Sequence, residues 1–362
     1  MDTRVVLEAL SLSVSAGVPT LLWGSPGTGK TSAVKALAES LGWPVEVVIG
    51  SLREPSDFAG LPVVSEGAVR LAPPAWAQRL ATTGHGLLFL DELTTAPPAV
   101  QAAMLRVVLE RVVGDVPLPA GVRVVAAANP PEEAADGWEL APPLANRLVH
   151  LNWPVNAERI ARGLAAGFAR PSLAGFERPA TARQDLTARA TVSAFLQVRP
   201  ALVLQVPKGP AAGQGWPSPR SWEFTATLLA ACAATEAGPD VRAALVTGAV
   251  GEGAALEFLS WLENLDLPDP AAVLADPASF ELPRRSDRAF AVLTSVAAVA
   301  VAADDKDTWE AGWKVVAKAA RAAPDVATLA ARTLAARRPA GARIPAALLE
   351  LTPILRAAGL IE

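Results

Sequence analysis

GSPGTGKT, residues 24–31, is the stretch on which the reading of the fold turns. Glycines at 24, 27 and 29 followed by Lys30 and Thr31 have the spacing of a loop that wraps phosphate groups. Glycines let backbone N–H groups turn inward, and a helix starting at the lysine adds its positive end. TLLW (20–23) ahead of the loop reads as a strand, and KTSAVKALAESL (30–41), closed by Gly42, reads as a helix. That is the setting the motif requires. A plain glycine-rich strand-to-helix turn is the alternative. On the functional reading, Gly24, Ser25, Pro26, Gly27, Thr28, Gly29, Lys30, Thr31 and Ser32 hold ATP. Lys30 reaches the β- and γ-phosphates, and the Thr31 hydroxyl serves Mg²⁺. No N-K-x-D motif occurs, so ATP is preferred to GTP.

Working outward, the pattern up to about Trp153 alternates short β-rich runs with helical stretches, as in a parallel α/β sheet. Further strands are expected at Val45–Ile49, Leu87–Leu90, Val122–Ala127 and Leu148–Leu151, and a further helix from Pro98 to about Val112. Residues 57–71 read as a β-hairpin at the periphery. After Pro154 the strand signals fade. Helices are expected over Asn156–Phe168, Thr181–Val198, Pro219–Ala237, Pro239–Gly248 and Gly253–Leu265, with a loop at 200–215 and an Ala-rich helical region beyond. The expected organisation is an α/β core (1–155), an all-α lid (156–265) and a helical C-terminal extension (266–362).

LLFLDEL (87–93) is an apolar strand that ends in two acids. Beside a phosphate loop, Asp91 suits the Mg²⁺ shell, and Glu92 suits a base or orienter for the attacking water. Alone, the same run could be a strand that ends in a solvated turn.

Bulk composition narrows the function classes. The 362 residues are 51% hydrophobic and 19% charged, which favours a well-buried fold of two or three domains. Net charge is −4 and the isoelectric point about 5.5, against electrostatic capture of nucleic acid or anionic membrane by the chain as a whole. Cys232 is the one cysteine, in the apolar run 226–234, and reads as a buried structural thiol. His85 and His150 make no metal site by themselves. The apolar run 289–303 falls short of the ~20 residues of a membrane span and reads as a buried helix. The N-terminus does not read as a signal peptide, and a cytoplasmic location is expected. Tryptophans 138, 216, 222, 261, 309 and 313 read as core anchors, since no basic groove accompanies them.

GSPGTGKT, LLFLDEL and VRVVAAANP (122–130), in that order, resemble an AAA+ ATPase, and more narrowly the MoxR-like branch with its NorQ/CbbQ-type activators. DFAGLP (57–62), ERVVGDVPLPAG (110–121), PPLANRLVHLNWP (142–154) and PSPRSWE (217–223) extend the resemblance over about residues 12–265. It implies that Asn129 is sensor 1, although an Asn capping a strand before two prolines is the other reading. It implies that Arg147 is an arginine finger offered to the neighbouring subunit, the alternative being a surface arginine. Leu148 stands where the family has an aromatic. Arg220 matches sensor 2, at the start of a lid helix folding over the nucleotide.

The resemblance further implies a closed homo-oligomeric ring, most often a hexamer. Such a ring would remodel or activate a partner protein in chaperone-like fashion, the usual partner carrying a von Willebrand factor A domain. The hairpins at 61–71 and 112–122 match elements that face a pore or partner, or are static sheet edges. Two rival functions stand beside this one. The first is an AAA+ machine acting on DNA; the second is a scaffold ring that binds ATP with little turnover.

Overall fold

The computed structural model describes residues 2–65, 67–130, 133, 137–168, 178–264 and 267–342. The chain packs as two compact units, one of residues 1–179 with 204–255, the other of 180–203 with 256–362. Glu66 in the first hairpin, Pro131 and the last twenty residues of the expected C-terminal extension lie outside the described residues.

The first unit opens with α1 (Thr3–Ala16), capped by the Asp2 carboxylate and closed by Gly17 in the left-handed region. Then come β1 (Thr20–Trp23), α2 (Lys30–Leu41), β2 (Val45–Ile49) and α3 (Ser56–Ala59). The hairpin β3 (Leu61–Ser65) and β4 (Ala68–Ala72) leads to α4 (Ala75–Thr83), β5 (His85–Asp91) and α5 (Pro98–Glu110). A second small hairpin, β6 (Val112–Val113) with β7 (Val116–Pro117), precedes β8 (Gly121–Ala128), α6 (Pro142–Ala145), β9 (Val149–Asn152) and α7 (Ala157–Ala166). Every expected strand and both expected hairpins are present. α1 and α4 were not among the sequence expectations.

Five strands form one parallel sheet in the order β2-β5-β8-β1-β9. β1 is buried along its whole length, and in β5 residues 86–90 are buried. Parallel strands covered on both faces have to read as continuous apolar runs, which is why TLLW and LLFL do. Leu21, Leu88, Leu90, Val124 and Ala126 share one core cluster with Met104 and Val107 of α5. At about 1.5–3 kcal/mol per buried leucine, that core stabilises the sheet that aims the loops. Since β8 lies between β5 and β1, the loops after these three strands emerge side by side at the carboxyl edge, where open α/β sheets bind ligands.

The second unit contains α8 (Ala182–Val198), opened by a capping box of Thr181 and Gln184. The first unit resumes with α9 (Pro219–Thr235) and α10 (Pro239–Val250), and α11 (Glu252–Glu263) follows. α12 (Pro270–Ala275), α13 (Ser286–Ala303), α14 (Lys306–Ala320) and α15 (Pro324–Ala336) complete the second unit. α8 was expected in the lid, but it packs on α13 within this second unit. α13 is long and apolar enough by length and composition to cross a bilayer; its Val292, Leu293, Val296, Ala297 and Ala300 are buried in the unit's core. Trp309 and Trp313 meet edge to face at 5.8 Å in that core, and Phe195, Phe258 and Trp261 form a second aromatic cluster. Trp222 is buried as expected, whereas Trp138 is 49% exposed and anchors no core.

Candidate functional site

The loop 24–31 leaves β1 and enters α2 as expected, with Gly27 and Gly29 at φ +75° and +94°. Side chains are strained in that region, so the two positions need glycine for the loop to curl. The Gly24 N–H donates to the Ala128 carbonyl, which ties the loop to β8. Pro26, Gly27, Gly29 and Ser32 are exposed, Ser25 and Thr28 half-buried. The Thr28 hydroxyl donates to the Ser25 carbonyl and the Trp153 indole to the Thr28 carbonyl, closing the curl.

Lys30 is only 7% exposed. Its Nζ donates to the Gly24 carbonyl, to the Ser25 carbonyl at 2.9 Å and to Asn129 Oδ1 at 3.1 Å. Burial pushes its pKa down, and Asp91 and Glu133 push it back up. The ammonium thus sits in the mouth of the loop, held by neutral acceptors that a phosphate would replace. Lys30→Ala is expected to weaken ATP binding at least ~100-fold, about 2.7 kcal/mol, because the one buried cation of the cradle is lost. Calorimetric titration with ATP checks this, with thermal unfolding as the control for folding.

Thr31 Oγ1 donates to Asp91 Oδ2 at 2.8 Å. A hydroxyl and a carboxylate side by side at the carboxyl edge are hard oxygen donors, and the pair fits Mg²⁺. Glu92 follows at φ +57°, a left-handed conformation that is costly for a side-chain-bearing residue. The turn is held by Leu93 N–H on the Ala127 carbonyl and by the Thr95 hydroxyl on the Glu92 carbonyl at 2.9 Å. The Glu92 carboxylate accepts from the Ser51 hydroxyl. Ser51 follows β2, the neighbour of β5, and no motif in the sequence marks it. Asn129 follows β8, with its carbonyl accepting from Thr94 Oγ1 at 3.1 Å.

Lys30 therefore meets Asn129, and Thr31 meets Asp91, through direct hydrogen bonds, and Glu92 is next to Asp91 in the chain. Arg147 and Arg220 lie near each other in the same unit, their segments joined by the bond from Ser218 to Asn146. Arg147 Nη1 donates to the Pro143 carbonyl, and its Nε is buried without a hydrogen-bond partner. Burial and the like charge of Arg220 lower its pKa. Arg220 lies in the first turn of α9, which has Ser218 as its cap.

His150, on β9, had no expected role. Trp23 Nε1 donates to its Nδ1 at 2.8 Å, and its Nε2 donates to the Ala145 carbonyl at 2.9 Å. Those partners fix the neutral ring in one tautomer and link the strand before the phosphate loop to the segment carrying Arg147. Burial depresses its pKa from 6.5 to about 4. The unfolded chain takes up a proton as pH falls through ~6.5 while the folded form refuses it until about 4, so stability is full above 6.5 and is lost toward 4. Between pH 7 and 5 a loss of about 2 kcal/mol is expected from this ring. Urea unfolding at the two pH values measures it, and His150→Gln should flatten the difference. Cys232 is buried as expected, and burial pushes its thiol up to about 11.

Residues 19–148 match the family model of the AAA domain, dynein-related subfamily. The Psp operon transcriptional activator of Escherichia coli (strain K12) is 36% identical over 132 residues, 34% of this chain and 41% of that protein. The chain thus spans about two-fifths of the length of that curated relative. A crystal structure of a candidate ATPase from Cytophaga hutchinsonii aligns with a TM-score of 0.46 at 16% identity, over 72% of this chain and 89% of that one. The matched segment contains the phosphate loop, Asp91, Glu92, Asn129 and Arg147. Fold and match together put this segment among the AAA+ ATPase domains.

Proposed function

We propose that the chain is a MoxR-like AAA+ ATPase that hydrolyses ATP in a homo-oligomeric ring, hexameric by resemblance, to remodel or activate a partner protein. The observation that carries the ATPase reading is the junction of Lys30 with Asn129 and of Thr31 with Asp91 across three neighbouring strands. In this reading the loop amides and Lys30 hold the triphosphate, and Thr31 and Asp91 hold Mg²⁺. The ion, when bound, neutralises charge on the phosphate oxygens. Glu92 takes the proton of the attacking water, and Asn129 orients that water or a γ-phosphate oxygen. Arg147 and Arg220, paired in one chain, face the nucleotide of the neighbouring subunit. The resemblance gives Arg220 a lid role over the nucleotide; its nearness to Arg147 favours the neighbour's nucleotide instead.

The hairpin β3–β4 supports a partner-contacting role. Among the described residues its strands form a two-stranded sheet of their own, and Leu61, Val64 and Val69 are 61%, 81% and 68% exposed. Apolar side chains displayed on so small a ribbon favour contact with protein over nucleic acid. A partner with a von Willebrand factor A domain comes from the family resemblance alone, as does a cytoplasmic location. The Psp activator's role in transcription is that protein's own, and the match covers 132 residues, 41% of its length.

Steady-state phosphate release with and without DNA tests this reading, together with capture of partners by the Glu92→Gln form in ATP. Turnover indifferent to DNA and a captured protein are expected. DNA-stimulated, salt-sensitive turnover would favour the DNA machine, and ATP binding with no turnover the scaffold.

A further inference from the structure

Asn146 lies between the last residue of α6 and Arg147 and is 6% exposed. Its Nδ2 donates to the Trp216 carbonyl at 3.0 Å, and its Oδ1 accepts from the Ser218 hydroxyl at 2.7 Å. Ser218 and Ser221 form the capping box that starts α9, and the Ser221 hydroxyl donates to the same Trp216 carbonyl at 2.9 Å. One amide therefore grips both the segment leading into α9 and its cap. Arg147 is the residue after Asn146; Arg220 is two after Ser218. Gly248 lies so close to the His150 carbonyl that a Cβ would come within 2.3 Å, and Gly215 as close to the Gly248 carbonyl at 2.4 Å. Such packing brings the segments together without fixing how far one slides along the other. An amide bonded at both ends does fix it, since a shift of one atom leaves a buried donor and acceptor unmet.

We infer that Asn146 is a positioning residue that holds Arg147 and Arg220 in register as one two-arginine unit, with Ser218 as its counterpart on α9. The inference rests on the proposed action of these arginines at the neighbour's nucleotide. Asn146 touches no phosphate. It acts on turnover only through the arginines and leaves the subunit's own ATP cradle alone.

The test is a set of full-length variants, Asn146→Ala, Ser218→Ala, Arg147→Ala, Arg220→Ala and Asn146→Ala with Arg220→Ala, assayed for kcat, ATP Kd and thermal unfolding. Asn146→Ala is expected to lower kcat at least ~10-fold with ATP Kd unchanged within about twofold, and Ser218→Ala to do the same. Adding Asn146→Ala to Arg220→Ala should cost less than about another twofold, because the register has nothing left to align. Wild-type kcat in Asn146→Ala and Ser218→Ala, with Arg220→Ala impaired, would overturn the inference and leave the arginine reading intact. Full multiplication of the two losses would also overturn it, by showing that Asn146 does not act through the register between the two arginines. Wild-type turnover in both Arg147→Ala and Arg220→Ala would defeat the arginine reading itself and the inference with it. If Asn146→Ala fails to fold, Ser218→Ala, which keeps the Trp216 bond, decides alone.

Discussion

Arg147→Ala is expected to bind ATP as tightly as the unaltered chain and to lose 10³–10⁵ in turnover, roughly the worth of an arginine finger. Burial of Arg147 carries a cost that its contacts do not offset. The guanidinium is half-buried, its Nε has no hydrogen-bond partner, and the charge that perturbs it is another arginine. An incompletely satisfied buried cation beside a like charge is poised for an anion. No contact joins Arg147 to Lys30, whose partners are Gly24, Ser25 and Asn129. Binding by the cradle should therefore survive the substitution. Lysine at 147 restores charge without the planar fork and should recover little. Nucleotide titration and phosphate release on the same preparation give both numbers.

Glu92→Gln is expected to lower turnover by about 10²–10⁴ with ATP affinity within about twofold. The amide is isosteric, keeps an acceptor for the Ser51 hydroxyl, and adopts φ +57° at the same cost as Glu. What it lacks is a lone pair basic enough to take a proton from water. Undiminished phosphate release by Glu92→Gln would remove Glu92 from the chemistry. Glu92→Gly sharpens the test. Glycine relieves the left-handed strain, so that variant should be inactive yet not markedly less stable. Activity and stability then part company, as they should where strain serves a site.

Much of the core was legible because its signals are local. TLLW, VEVVI and the helix from Lys30 to Leu41 closed by Gly42 are found at their expected bounds. Continuous apolar runs fix buried parallel strands, and glycine at a helix end fixes the stop. α4 was missed because AWAQRLATT is short and follows two prolines, and α1 because its serines weaken the helical pattern. Ser11 and Ser13 in fact return their hydroxyls to the carbonyls of Leu7 and Ala9, four residues back.

At the site, Lys30, Thr31, Asp91 and Asn129 were legible because each ends a recognisable strand or begins a helix. Ser51, Asn146 and His150 were not, because their meaning lies in partners far along the chain. Asn146 meets Ser218 across 72 positions, and His150 meets Trp23 across 127. Nor could periodicity place Arg220 beside Arg147, a proximity created by the start of α9 docking on the turn before β9.

The central claim is that each active site is completed by a second copy of the chain. Mixing Glu92→Gln with Arg147→Ala tests it most directly, because each variant retains the residue that the other has lost. In a randomly mixed 1:1 ring, about a quarter of the junctions would join an intact Glu92 to an intact Arg147. Phosphate release rising well above that of either variant alone is the expected result. A mixture as inactive as its separate components, although co-assembly is seen by light scattering, would contradict completion of the site between subunits.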